Sequence, residues 1–466
     1  MKQRNWKKYI DREHWKFYAY RLRHFSTTLH LIWLPYREKY EKRKILEILK
    51  KKGELSLSEL KKFHWGSVLR LLSEISDDEY RSLCSRIFKT SVEEIRTKDT
   101  IKVCFIQYVD TSWSGDDIYR LFESDKRFEV CVLVTRMRNN YKPVSELIQY
   151  FRKRRIKAYE YNQKYQTDIC IYATPYDLEQ KGADIRERHL NELCVLIPYA
   201  FLIGKGEEHH IESRKFIRSQ CIWRYYCYTK IHEDEGRQYN VLGRLNMVYS
   251  GYPKLDIFSY IKNDDRMWNF YPDAKKRVIY APTMVCEYST FADSWQLLYR
   301  AARHYQDIAW IFRPHPYLGQ SLAAKRLINH KEFEAYVKMW KMLPNADVQT
   351  GGDYYHTIWS SDAMIADGTS LVSNYQYTGK PLLVLCEDDT NLSEYGRKLF
   401  ACQYQSGGTD YETICGFLEQ IVVKGMDPKR EERMRFFSDN LDYIKKNGRT
   451  ASRFIVEDIC GLLERV

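Results

Sequence analysis

Arg313 and His315 stand two residues apart in Trp310-Ile-Phe-Arg-Pro-His-Pro-Tyr317, with a proline directly after each. If the apolar run Ile308 to Phe312 is a strand, residues two apart share a face and both side chains can enter one cleft. The prolines halt the ladder at that point, so the strand end becomes a site rather than more sheet. A permanent cation beside a titratable imidazole suits a phosphate that gains charge during reaction. Alone, the pair reads equally well as a surface arginine and a turn histidine. A second candidate is Ala363-Met-Ile-Ala-Asp-Gly-Thr-Ser370, a strand that breaks at Gly368 before a helix. There free backbone N–H groups, the helix dipole and the hydroxyls of Thr369 and Ser370 would converge on an anion. Gly368 lets the backbone approach a ligand closely; a simple N-cap by Asp367 or Thr369 accounts for the same residues. Tyr280-Ala-Pro-Thr283 puts a hydroxyl just past a proline at a third strand end, and Ser250-Gly-Tyr-Pro-Lys-Leu-Asp256 is a tight turn.

The elements that must hold these residues follow from the hydrophobic pattern. From residue 101 onward, short apolar runs alternate with helical segments. The runs are Lys102–Gln107, Phe128–Thr135, Ile156–Tyr159, Asp168–Ala173 and Leu193–Pro198, then Arg277–Ala281, Ile308–Phe312, Ala363–Ala366 and Pro381–Leu385. Helices are expected after Ser114 or Asp116, at Val144–Arg154, Ser294–His304 and Ala323–Met342, and at Tyr411–Val423, Glu431–Lys446 and Thr450–Val466. Near-continuous apolar strands alternating with helices predict an α/β fold with parallel, doubly wound sheets. The pattern breaks near residues 240–255, giving two such units. Ligands of paired doubly wound domains sit at the carboxyl ends of the strands.

At 466 residues the chain exceeds one ordinary core, and 44% hydrophobic content is ample for several. No run of eighteen apolar residues occurs, so no segment is expected to span a membrane, and no apolar signal core follows the N-terminus. Twelve cysteines are scattered without a Cys-x-x-Cys pair, which fits reduced thiols in a cytoplasmic protein. The net charge of +13 is concentrated: residues 1–70 hold 19 Lys and Arg against 7 Asp and Glu. That stretch also carries Trp6, Phe17, Phe25 and Trp33 and reads as helical. Basic and aromatic residues on one helix suit an anionic membrane surface, or else a helical domain with solvated charges. Leu71 to Tyr80 is acidic rather than a basic recognition helix, so no nucleic-acid partner is expected. Asp116-Asp117, Asp264-Asp265 and Asp388-Asp389 are adjacent acids of the kind usually solvated on loops. Without a His/Cys cluster of ligand spacing, no metal is expected as an obligatory partner.

Gly251-Tyr-Pro-x-x-Asp256, Tyr280-Ala-Pro-Thr283, Arg313-Pro-His-Pro316 and Asp367-Gly-Thr-Ser370 before Gly379-Lys-Pro381, in this order, resemble the CDP-glycerol glycerophosphotransferase family. Its members are polymerases and primases of teichoic-acid and capsule-like polyol-phosphate chains. The resemblance covers about residues 240–390 and is fainter over 101–240, where Trp113-Ser-x-Asp-Asp-Ile-Tyr119 is also similar. It implies the GT-B architecture, two Rossmann-like domains facing a cleft, with an added N-terminal basic helical region. The expected division is 1–95 for that region, 96–245 for an acceptor domain, 246–430 for a nucleotide-donor domain and 431–466 for C-terminal helices. The implied reaction is attack of an acceptor hydroxyl on the β-phosphorus of CDP-glycerol, or a similar CDP-polyol, with release of CMP and no required cofactor. Arg313 and His315 would contact the pyrophosphate, and Thr283 with Asp367, Gly368, Thr369 and Ser370 would hold phosphate and the nucleotide or glycerol portion. A protonated His315 could stabilise or protonate the leaving phosphate.

Two departures bear on mechanism. Where the family carries a His-Gly pair whose histidine is the general base, this chain has Leu196-Ile-Pro-Tyr-Ala200. Tyr199 there, with a phenol pKa near ~10, is a poor base at neutral pH. Asp110, His209 and His210 are the alternative candidates. Asp-Gly-Thr-Ser also replaces the family's Asp-Tyr-Ser-Ser, which bears on the choice of donor. The expected role is a cytoplasmic transferase, peripheral on the inner membrane face, acting on a glycan or lipid-linked acceptor. A GT-B glycosyltransferase using a nucleotide sugar and a non-catalytic assembly protein are the other readings. Oligomeric state is not legible in the sequence.

Overall fold

The computed structural model describes residues 40–41, 43–48, 76–136, 143–162, 164–174, 183, 188, 192–204, 222–286, 289–351, 354–367, 370–386 and 391–464. Most of the basic N-terminal region, together with the membrane expectation that rests on it, lies outside the described residues. Described parts of that region are helical at 40–41 and 43–48 and in α1 (Asp77–Arg96). Helix α1 starts where Ser76 and Glu79 form a reciprocal capping box that satisfies two orphan N–H groups. Among the described residues no helix is long and apolar enough to cross a membrane.

Two parallel sheets form the body of the molecule. The first contains β1 (Ile101–Gln107), β2 (Phe128–Val134), β3 (Ala158–Glu160), β4 (Ile169–Tyr172), β5 (Leu193–Leu196), β6 (Arg224–Cys227) and β7 (Met247–Tyr249). Their order is β3-β2-β1-β4-β5-β6-β7. The second contains β8 (Lys276–Ala281), β9 (Ile308–Phe312), β10 (Ala346–Val348), β11 (Ala363–Asp367), β12 (Leu382–Leu385) and β13 (Tyr404–Ser406), ordered β10-β9-β8-β11-β12-β13. Both faces of these strands are covered by helices, which is why their sequences are continuously apolar rather than alternating. In β9 every residue is buried. Phe312 stacks on Trp340 with ring centroids 5.1 Å apart and meets Tyr336 edge-on at 5.5 Å. Burying side chains of that size contributes roughly 1.5–3 kcal/mol each and holds the strand end that precedes Arg313.

Several elements differ from the sequence expectation for local reasons. Helix α2 (Asp116–Ser124) begins after Gly115 with no side-chain cap, in place of a cap by Ser114 or Asp116. Gly115 is required because a Cβ there would lie 2.9 Å from both Phe105 and Trp113. The indole of Trp113 fills the space between Phe105 and Phe151. After α3 (Val144–Lys153), α4 (Lys230–Tyr239) and α5 (Phe291–His304), the expected helix 323–342 is two helices. Helix α6 (Leu318–Ala324) ends as Arg326 enters the left-handed region at φ 58°, and Asn329 with Glu332 caps α7 (His330–Lys341) afresh. Strands β6, β7, β10 and β13 were not expected. Each has only three or four residues, too few to show a period.

The two halves are bound by more than the connecting chain. Gly204 pairs antiparallel with Leu392, and Ser393 donates its backbone N–H to Ile203 at 2.8 Å. Phe201 stacks on Tyr395 at 5.8 Å. The final helices are α12 (Arg430–Asn440) and α13 (Tyr443–Asn447), numbered after α8 (Tyr355–Ser360), α9 (Ser370–Tyr375), α10 (Glu394–Ala401) and α11 (Tyr411–Gly416), and then α14 (Ala451–Glu464). Helix α14 returns to the first half and packs against α1 and α2. Its start is held by buried Asp256, which accepts from the N–H groups of Ala451 at 2.9 Å and Ser452 at 2.8 Å and from the Tyr443 hydroxyl at 2.6 Å. An acid facing two free amides at a helix start also meets the positive end of the dipole. Burial pushes this carboxyl above its ordinary range while the hydrogen bonds pull it back. The motif Gly251-Tyr-Pro-x-x-Asp256 is therefore the fastening of the C-terminal helices.

Candidate active site

Three of the singled-out segments leave the carboxyl ends of adjacent strands β9, β8 and β11. Backbone hydrogen bonds lace them together. Arg313 N–H donates to Tyr280 at 2.8 Å, His315 N–H to Pro282 at 2.9 Å, and Thr283 N–H to the Asp367 carboxylate at 2.5 Å. The fold thus brings Arg313, His315, Thr283 and Asp367 to one edge of the second sheet, the edge where doubly wound folds hold ligands.

Asp367 is 3% exposed and its carboxylate works inside the protein. One oxygen takes the Thr283 amide; the other takes the Thr290 amide at 2.8 Å and the Ser289 hydroxyl at 3.3 Å. Burial pushes the acid up to about 6 against the pull of these donors. It organises the loop that follows β8, and so acts on the site by shape. Gly368 and Thr369 lie outside the described residues. Ser370 opens α9.

The Arg313 guanidinium is half-buried. Its Nη1 donates to Gln349 Oε1 at 3.1 Å and to the Gly351 carbonyl at 3.3 Å, and it lies 5.3 Å from the centre of the Tyr354 ring. Gln349 is itself fixed, accepting from Thr357 Oγ1 at 3.1 Å. These contacts orient the guanidinium, whose planar array of donors and permanent charge suit an anion.

His315 Nδ1 accepts the Tyr317 backbone N–H at 3.1 Å. An acceptor at Nδ1 must present a lone pair, so the imidazole is the neutral form with its proton on Nε2. Burial lowers its pKa below 6.5, in the same direction. The ring is set to donate one hydrogen bond from Nε2.

Across the cleft, Asp110 follows β1 and accepts the Thr111 N–H at 3.1 Å. Tyr199 follows β5, is 37% exposed, and has its backbone carbonyl bound by the Tyr252 hydroxyl. His209 and His210 lie outside the described residues. Two residues overlooked in the sequence join the two sides. Lys254 Nζ donates to the Thr111 carbonyl at 3.1 Å and lies 5.9 Å from the Tyr354 ring centre. Tyr354 accepts from Asn374 Nδ2 at 2.9 Å through its hydroxyl. The signal for Lys254 was its place between Pro253 and Asp256 in a turn already singled out. Farther along, Tyr260 donates to Asp117 at 3.4 Å. His232 is a core residue: its Nε2 meets the Leu202 carbonyl at 3.1 Å and burial pushes its pKa down to about 4. Among the described residues no group of His, Cys, Asp and Glu has the arrangement of a metal site. A cavity of about 610 Å³ lined by Arg300, Arg303, Tyr305, Tyr411 and Glu419 lies at the amino ends of β9 and β10, the opposite edge from the motif loops.

The arrangement offers a cation, a neutral N–H donor and strand-end loops on one wall, and a carboxylate and a phenol on the other. It can bind and polarise a phosphate while a nucleophile approaches from the facing domain. In fold the chain is similar to the wall teichoic acid polymerase TagF, at TM-score 0.53 and 12% identity over 85% of this chain and 96% of that one. It is also similar to UDP-GlcNAc 2-epimerase from Neisseria meningitidis bound to UDP-GlcNAc (TM-score 0.52, 10% identity, 78% and 100% covered). A putative UDP-N-acetylglucosamine 2-epimerase from Listeria monocytogenes gives TM-score 0.53 and 11% identity over 77% and 96%. These likenesses establish the GT-B-like architecture. No curated protein matches in sequence. The family model for CDP-glycerol:poly(glycerophosphate) glycerophosphotransferase matches residues 209–460, which contain Arg313, His315, Thr283 and Asp367. With more than half of its length matched, the chain belongs to the CDP-glycerol:poly(glycerophosphate) glycerophosphotransferase family.

Proposed function

We propose that the family reaction, glycerophosphate transfer from CDP-glycerol, runs in the cleft between the two sheets and uses a cell-surface glycan or teichoic-acid-like acceptor. An acceptor oxygen forms a bond to the β-phosphorus as the bond from that phosphorus to the bridging oxygen breaks. The electron pair leaves with CMP, and the acceptor proton passes to a base. The observation that carries this reading is the convergence of Arg313, His315 and Thr283 on adjacent strand ends inside the family-matched segment. Arg313 supplies fixed charge to the pyrophosphate, and His315 donates Nε2–H to a phosphate oxygen as charge moves to the leaving group. Asp367 holds the Thr283 loop in place. Asp110 is the base candidate with described geometry; its position after β1 supports that role. No cofactor or metal enters the scheme. Residues 1–70 are proposed to hold the protein peripherally on an anionic membrane face, a reading supported by their charge and aromatic content.

The test is CMP release from CDP-glycerol by the purified chain with a polyol-phosphate or lipid-linked acceptor, compared with Arg313→Ala and His315→Ala. Both variants should fold and lose most activity. CMP release at the wild-type rate by both would remove the site assignment. Release of UDP from a UDP-sugar, with none of CMP, would favour the nucleotide-sugar reading instead.

A further inference from the structure

We infer that Lys254 is a second cation of the phosphate site and contacts the phosphoryl group being transferred. The inference rests on the proposed reaction and adds a residue that its family motifs leave unassigned. Lys254 stands on a rigid turn. Gly251 adopts φ 83°, the Tyr252 ring stacks on Tyr228 with centroids 4.2 Å apart, and Pro253 opens the short 3-10 helix Pro253–Ser259. The Tyr252 hydroxyl bonds the Tyr199 carbonyl of the facing domain. The backbone of Lys254 is therefore fixed where the two domains meet.

The ammonium carries three donors. One reaches the Thr111 carbonyl at 3.1 Å, beside Asp110. Among the described residues no carboxylate pairs with it. A half-buried lysine held by a neutral carbonyl leaves its charge for an anion that arrives from outside. The ring of Tyr354 places the two cations near one another: it lies 5.9 Å from Lys254 Nζ and 5.3 Å from the Arg313 guanidinium. Both cations thus neighbour one aromatic ring, Arg313 from the second sheet and Lys254 from the junction. The phosphorus under attack must lie between the donor-holding strand ends and the acceptor oxygen. Lys254 lies at that boundary, bonded to the loop after β1 and near the ring that Arg313 also approaches. When a β-phosphoryl oxygen enters, Nζ adds it or exchanges the Thr111 carbonyl for it. The ammonium then balances the charge on the equatorial oxygens while the bond to CMP breaks, with no proton transferred by Lys254.

The experiment compares the full-length wild type with Lys254→Gln and Lys254→Arg. It measures calorimetric affinity for CDP-glycerol and for CMP, CMP-release kinetics, and thermal unfolding. CMP lacks the transferred phosphate, so it separates a phosphate contact from a structural role. Lys254→Gln should lower CDP-glycerol affinity or kcat/KM roughly tenfold or more, the effect of losing one charge-assisted hydrogen bond. Its CMP affinity should stay within about twofold and its unfolding temperature unchanged, and Lys254→Arg should restore most of the loss. Equal losses for both ligands, or a fall in unfolding temperature that Arg does not correct, would overturn the inference in favour of a domain-joining role. Wild-type turnover of CDP-glycerol with an indifferent Lys254→Gln overturns it alone. A wild type that releases no CMP overturns the reaction and this inference together.

Discussion

Gly251→Ala gives the most demanding check on how the motif region is built. A Cβ at this position would sit 2.0 Å from Tyr443 Cγ and 2.2 Å from Cδ1, on a backbone with φ 83°. Placing an L-residue there costs about 1–2 kcal/mol in backbone strain, and pushing the ring aside costs about 1–3 kcal/mol more. Moving the ring also breaks the 2.6 Å bond from the Tyr443 hydroxyl to Asp256, leaving a buried carboxylate one donor short. A hydrogen bond to a charged group adds about 1.5–3 kcal/mol. The total is about 4–8 kcal/mol, and half of that would lower the unfolding temperature by roughly 5–15 °C for a domain of this size. Differential scanning calorimetry measures the fall, and hydrogen exchange should locate the loosening in residues 443–464. Tyr443→Phe isolates the hydroxyl and should lose only about 1.5–3 kcal/mol. In a Tyr443→Ala background the ring is gone, so Gly251→Ala should cost only its backbone strain of about 1–2 kcal/mol. Additive losses in that double variant, or a single variant unfolding within a degree or two of wild type, would refute the reasoning.

Other outcomes follow from the same geometry. Arg313→Lys keeps the charge but loses the planar guanidinium whose Nη1 bonds Gln349 and Gly351 and whose other donors can meet an anion, so kcat/KM for CDP-glycerol should fall about 10–100-fold with folding intact; steady-state CMP release measures it. Burial holds the His315 pKa below 6.5, so its share of stability is complete above that value and is lost as pH falls through the lowered one. The unfolding temperature of wild type should therefore drop more steeply than that of His315→Asn between pH 7.5 and 5.5, read by calorimetry in buffers across that range. Asp367 runs the other way: its folded pKa is raised to about 6, so its share is complete below the ordinary carboxylate range and is lost as pH rises through about 6. Relative to Asp367→Asn, wild type should lose about 2–3 kcal/mol of stability between pH 4 and pH 7, read from denaturant midpoints. Deleting residues 1–70 should abolish binding to anionic liposomes in a flotation assay and leave CMP release largely intact.

The legible parts of the fold were those whose cause is local. Ile308–Phe312 is apolar throughout because it is covered on both faces, so its run marks the strand without help from distant residues. The carboxyl-edge location of Arg313 and His315 followed from that strand and its prolines. What escaped the sequence depends on partners far along the chain. Asp256 read as a turn residue because Tyr443, Ala451 and Ser452, its partners, are nearly two hundred positions away. Asp367 read as a ligand contact because nothing near it announces that the amides of Thr283 and Thr290 would surround its carboxylate. The protonated His315 of the sequence reading gives way to a neutral one through a turn of two residues, Nδ1 meeting the N–H of Tyr317. Lys254 lay inside a recognised motif, yet its use depends on Thr111 and Tyr354, which no spacing rule connects to it.

The return of α14 to the first half has a consequence for how the chain is made. Arg224 and Tyr226 on β6 hold Asp458, and Arg96 and Arg127 reach Leu463 and Glu464, so the first half is completed by a helix translated about two hundred residues later. At about 5–20 residues per second the ribosome needs tens of seconds to travel from β7 to α14. During that interval the surfaces of α1 and α2 that α14 will cover are open to chaperones and to other nascent chains. The first half therefore completes its packing only after α14 has emerged.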